Sequence, residues 1–103
     1  MYSTVLVTAP DLETSRRISR YLVEGRLAAC ANIFPIDSIY RWEGKIMEEG
    51  EYAVLLKIRT EDFEALRTIV LELHPYEVPC IVRYEIREGH VTYLNWIGES
   101  TER

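Results

Sequence analysis

The chain has 103 residues, 48% of them apolar, and a net charge of −5 from 12 basic and 17 acidic side chains. The apolar share excludes a disordered chain, and the length fits one domain, residues 1–103, with a real but modest core. The acidic balance argues against a nucleic-acid binder, which needs a basic surface.

No apolar run approaches membrane-spanning length, and no secretory leader is read, so no membrane partner is expected. Cys30 and Cys80 each sit in an apolar stretch, and no CxxC occurs. The expectation is a cytoplasmic protein with reduced thiols, although spacing alone leaves a disulfide open.

Residues Tyr2–Thr8 are β-branched and aromatic and read as a strand. Ala9-Pro10 breaks it, and Asp11 is a good N-cap for a helix with Glu13 in its first turn. Leu12, Ser15, Ile18 and Leu22 recur at helical spacing. Arg16, Arg17 and Arg20 lie off that stripe and read as an exposed basic face rather than an anion site. Gly25 is placed as the C′ residue that ends the helix.

Leu27–Ile46 is the unusual stretch. A small-residue run, Ala28–Ala31, leads into about a dozen β-prone residues interrupted by Pro35. A proline there points to an edge strand or a bulge, because it cannot donate to a ladder. Alternation puts Phe34, Ile36, Tyr40 and Trp42 on one face, and Trp42-Glu43-Gly44-Lys45 reads as a turn. The strand is too long for one small domain to cover, so it is expected to meet another copy of the chain. Lys45–Glu51 follows; the cluster Glu43, Glu48, Glu49 and Glu51 is read as the solvated end of a hairpin. Val54, Leu56 and Ile58 then alternate as a strand with one apolar face.

Thr60 is placed as the cap of a second helix, with Phe63, Leu66, Ile69, Val70 and Leu73 as its buried stripe. His74-Pro75 stops it, since the residue before proline leaves the helical region. Cys80–Ile86 is a short strand. Val91, Leu94 and Ile97 recur at helical spacing, and Glu99–Arg103 reads as a frayed polar tail.

The order β-α-β-β-α-β plus a C-terminal helix gives an α+β, ferredoxin-like domain: an antiparallel sheet with two helices on one face. The other face would expose aromatic and aliphatic side chains, which monomers rarely tolerate, so self-association is expected. No nucleophile–histidine pair and no phosphate loop is visible, so no enzyme is expected. His74, Glu77 and Cys80 fall within seven residues and offer imidazole, carboxylate and thiol to a soft or borderline metal. The alternative is that His74 caps a helix end while Cys80 is a small buried hydrophobe. Lys45, beside Trp42, is placed either on an anionic ligand or in an interface contact.

Thr8-Ala9-Pro10, Arg26-Leu27-Ala28-Ala29-Cys30, Tyr40-x-Trp42-x-Gly44-Lys45-Ile46, His74-Pro75-Tyr76-Glu77-Val78-Pro79 and Tyr93-Leu94-x-Trp96 together resemble the CutA family of divalent-cation tolerance proteins. The resemblance runs from about Val5 to Ile97. It implies a tight homotrimer similar in architecture to the PII signalling proteins, locked by the long hairpin. It also implies a cytoplasmic role in tolerance of copper and other divalent metals, with no certain cofactor. Family members with a proposed copper site carry a cysteine where this chain has Val7 and a second histidine where it has Leu73. Many have glutamate where it has Cys80. Inter-subunit clefts lined by Tyr40, Trp42, Lys45, Tyr76 and Trp96 are the implied ligand sites. Rival readings are a PII-like sensor of a small anionic ligand and a structural or anchoring trimer without a ligand.

Overall fold

The computed structural model describes residues 1–103. Strand β1, Tyr2–Ala9, is followed by helix α1, Leu12–Glu24, and by the long strands β2, Cys30–Trp42, and β3, Lys45–Arg59. A 3₁₀ turn, Thr60–Asp62, leads into α2, Phe63–Leu73; β4, Ile81–Glu85, and α3, Val91–Ser100, complete the chain. The four strands form one sheet in the order β2-β3-β1-β4, antiparallel throughout. This is the split βαβ arrangement expected from the sequence.

Alternation along the strands builds the core. Val5, Val7, Val54, Leu56 and Ile58 point to one face, where Ile18 and Leu22 of α1 and Leu66 and Val70 of α2 close over them. All are essentially inaccessible to solvent. Asp11 caps α1 as expected: its Oδ1 accepts from Thr14 N at 2.7 Å, and that bond holds its carboxyl below the usual range. Thr60 does not cap α2; its hydroxyl instead bonds Ser3 Oγ at 2.7 Å, tying the start of β1 to the end of β3.

The end of α1 differs from the sequence expectation. Gly25 keeps an ordinary φ of −80°, and the left-handed residue is Arg26, with φ 59°. Leu27 N donates to Leu22 O and Arg26 N to Val23 O, the paired bonds of a Schellman motif with Arg26 at C′.

Pro35 sits on the edge strand and makes no bulge: the β2–β3 register is unbroken from Cys30↔Lys57 to Trp42↔Lys45. The turn between them is two residues, Glu43 and Gly44, with φ 50° and 79°. Positive φ at both central positions matches the right-handed strand twist, and Gly44 adopts it without steric cost. The far half of this hairpin runs past the helices, giving the molecule a 44 Å long axis against 26 and 21 Å. Side chains there stay exposed, Ile39 at 70% and Ile46 at 57%.

The C-terminal segment is not frayed. Helix α3 extends to Ser100, and Thr101 is buried. Thr101 Oγ1 donates to Ile97 O at 2.7 Å and accepts from Arg59 Nε at 2.8 Å. Arg103 reaches back to Asp62 Oδ1 at 2.7 Å and to Arg26 O at 2.6 Å. At Gly98 a Cβ would meet the Tyr2 hydroxyl, so a larger residue there must displace the end of that side chain. No helix is long and apolar enough to cross a membrane.

Candidate functional site

A cleft of about 870 Å³ opens between the outer half of the hairpin and the loop after α2. Strand alternation and pairing bring its walls together. Asp37–Trp42 contributes one side, Glu51 and Thr8 the floor, and Pro75–Val78 with Cys80 the other side.

The loop is held by His74, which is 8% exposed. Its Nε2 lies 2.7 Å from Thr8 O, and its Nδ1 accepts from Tyr76 N at 3.1 Å. Since Nδ1 must accept, Nε2 carries the proton and donates, so both ring nitrogens are engaged in the neutral ring. The imidazole also packs on the Tyr76 ring, with centroids 4.8 Å apart. His74 is thus a strut behind the cleft and is absent from its lining.

Tyr76 in turn donates its hydroxyl to Glu51 Oε2 at 2.7 Å. Burial, reinforced by this carboxylate, pushes the Tyr76 phenol well above its ordinary value. Tyr40 donates likewise to Glu49, and that bond raises its pKa to about 12. Glu51 is the surprise. The sequence places it in a solvated acidic end, yet it is only 7% exposed. It stands on the strand opposite Ile36, where the hairpin joins the body of the sheet.

The cleft brings together Tyr40, Trp42, Tyr76, Glu77 and Cys80 from the sequence-predicted set. Lys45 pairs across from Trp42 at the hairpin tip, outside the lining. Trp96 stacks beside Tyr93, 5.5 Å between centroids, and lines a separate groove between α1 and the β2 edge. Sequence reasoning missed Glu51, Asp37, Arg41 and Thr8. Period-two alternation combined with the hairpin register would have found Glu51.

As a metal centre the predicted trio falls short within one chain. No three His, Cys, Asp or Glu side chains are grouped to hold an ion. His74 has no free nitrogen. Burial pushes the Cys80 thiol up, against a smaller opposing effect of its bond with Thr8, whereas a metal needs the thiolate. Both cysteines are free thiols.

Residues 3–100 match the family described as CutA1 divalent ion tolerance protein. The chain is 44% identical over 102 residues to the divalent-cation tolerance protein CutA of Archaeoglobus fulgidus, covering 99% of this chain and 100% of that one. It is 48% identical over 102 residues to the same-named protein of Thermus thermophilus, covering 98% and 99%. The solved A. fulgidus structure, described as a periplasmic divalent cation tolerance protein, superposes with a TM-score of 0.97 over 99% of this chain and 100% of that one. The T. thermophilus structure gives 0.94 over the same shares. None of these names carries an enzymatic activity.

Proposed function

The chain belongs to the CutA1 divalent ion tolerance family, and from that membership we propose a non-enzymatic homotrimer whose ligand site is the cleft between hairpin and loop. The observation that carries this reading is the cleft itself: it joins the hairpin aromatics Tyr40 and Trp42 to the Tyr76–Cys80 loop in one enclosure.

Assembly is supported by the open apolar surface. Phe34, Tyr40 and Trp42 are 41%, 37% and 37% exposed on a single sheet face, beyond the reach of α1 and α2. Covering that face with a second copy, which would make the cleft one between subunits, removes a patch that a monomer rarely keeps. A trimer would satisfy all three hairpins at once by closed symmetry. Light scattering tests this, and a monomer at micromolar concentration overturns it.

A divalent cation such as copper is proposed as cargo of the cleft, with Glu77 and Cys80 the donors on its wall. Two donors from one chain leave a site incomplete, so further donors would come from a neighbouring subunit or from solvent. Calorimetric titration with Cu²⁺ on wild type, Cys80→Ser and Glu77→Gln tests this. A flat wild-type titration, or unchanged binding in both variants, removes the metal reading. The two free thiols fit a reducing, cytoplasmic setting, which cell fractionation would test.

A further inference from the structure

The loop that walls the cleft hangs on one imidazole, and the two bonds of that ring answer differently to a proton. His74 Nε2 donates to Thr8 O at 2.7 Å, and Nδ1 accepts from Tyr76 N at 3.1 Å. Protonation places a hydrogen on Nδ1, which then has no lone pair for the Tyr76 amide. The Nε2 bond survives, because that nitrogen donates in both forms. A proton therefore leaves the ring anchored on β1 and sets two N–H groups against each other at the loop. Imidazole ordinarily gains its proton between about pH 8 and 5.

Tyr76 carries the effect across the cleft. Its hydroxyl donates to Glu51 Oε2 at 2.7 Å, so the amide that loses His74 belongs to the residue tying the loop to the hairpin base. Pro75, between the two rings, offers no N–H as a substitute. The charged groups around His74 divide. The carbonyls ending α2 and the Glu51 carboxylate beyond Tyr76 draw a cation. Arg17 of α1, whose guanidinium donates to Leu73 O at 3.2 Å, repels one. Glu72 and Glu77 are exposed to solvent, and β1 carries no charged side chain. The Cys80 thiol, bonded to Thr8, is pushed up by burial and stays neutral. None of these groups returns an acceptor to Tyr76 N.

We propose that His74 is a pH-sensitive latch: the neutral ring holds the Tyr76–Cys80 loop on the sheet, and protonation at Nδ1 in mild acid releases that loop and widens the cleft. The bonded form is the neutral one, so the latch is complete near neutral pH and is lost as pH falls. The buried cluster around Val5, Leu56 and Leu66 closes without His74, so the loop opens locally while the fold stands. The proposal rests on His74 as the strut of the loop, and on neither a ligand of the cleft nor the number of subunits.

The test is amide hydrogen exchange of the intact protein by NMR from about pH 7.5 to about pH 5, corrected for intrinsic exchange. The His74 ring nitrogens and the oligomeric mass are followed in the same samples. The Tyr76 amide should lose protection at least about tenfold, with the midpoint of the His74 ring, while Val5 and Leu56 keep theirs. His74→Phe should show the acid level of Tyr76 protection at every pH. Glu51→Gln keeps an oxygen for the Tyr76 hydroxyl and should leave the transition in place. Tyr76 protection unchanged down to about pH 5 overturns the proposal. So does a transition that survives in His74→Phe or vanishes in Glu51→Gln, since the proton then belongs to another group. If His74→Phe does not fold, wild type and Glu51→Gln decide the matter between them. An oligomeric mass that falls with the same midpoint in wild type and His74→Phe traces the change to disassembly, and the latch is wrong.

Discussion

Replacing His74 by phenylalanine tests whether this residue is a strut or a ligand. The substitution keeps an aromatic ring beside Tyr76, now 4.8 Å away, and removes only the two nitrogens. Thr8 O loses its donor at 2.7 Å and Tyr76 N loses its acceptor at 3.1 Å. Each backbone group left unsatisfied in a buried site costs about 1–3 kcal/mol, and both contacts are part-buried, so the lower half of that range applies. The expected loss is about 2–4 kcal/mol per subunit, or roughly 10–20 °C in Tm for a domain of this size. His74→Asn retains a group near Nδ1, and His74→Gln one near Nε2, so each should recover about half of that loss. Thermal unfolding must be compared at one subunit concentration, because assembly makes Tm depend on concentration. Imidazole nitrogen NMR should show the proton on Nε2. Unchanged stability in His74→Phe refutes the strut. Loss of Cu²⁺ binding in His74→Asn with full stability would make His74 a ligand after all.

Other consequences are more local. Arg26→Gly removes the left-handed strain at C′ but loosens the unfolded chain, so a net stabilisation of up to about 1 kcal/mol is expected by denaturant unfolding; destabilisation would mean that the Arg26 contact with Ser100 O outweighs the strain. Ending the chain at Ser100 strips Arg59 of its Thr101 partner and leaves the buried Asp62 carboxylate without Arg103. That should cost about 2–3 kcal/mol, and a truncated chain as stable as the full one would restore the frayed tail. Tyr40 ionises at about 12 because its hydroxyl donates to Glu49. Folding favours the neutral phenol, so this contribution is complete below about 10 and is lost as pH rises through 12. Ultraviolet titration should show one tyrosine fewer ionising late in Tyr40→Phe.

Much of the fold was legible because burial follows period. Val54, Leu56 and Ile58 alternate, Leu66 and Val70 recur at helical spacing, and each ends in the core. What failed were readings made one residue at a time. Gly25 was the obvious left-handed residue, yet the bonds to Leu22 and Val23 carbonyls place that conformation on Arg26. Thr60 looked like a cap, but Ser3, 57 positions away, claims its hydroxyl. The polar tail looked loose because Arg59 and Asp62, its anchors, lie about 40 residues upstream.

The candidate site failed and succeeded for the same reason. The His74–Cys80 loop and the hairpin aromatics announce themselves by residue type, but whether they meet depends on register. With Trp42 paired to Lys45 and no bulge at Pro35, Ile36 must stand opposite Glu51. That count carries one glutamate of an acidic run back from the hairpin end to the rim of the sheet, where Tyr76 reaches it. Glu48 and Glu49, three and two positions nearer the tip, stay exposed. A run of like charges is therefore not a single object: its members divide at the point where the loop after α2 reaches over the strand. The glutamate on the covered side of that boundary has no cation of its own chain beside it and takes its hydrogen bond from Tyr76.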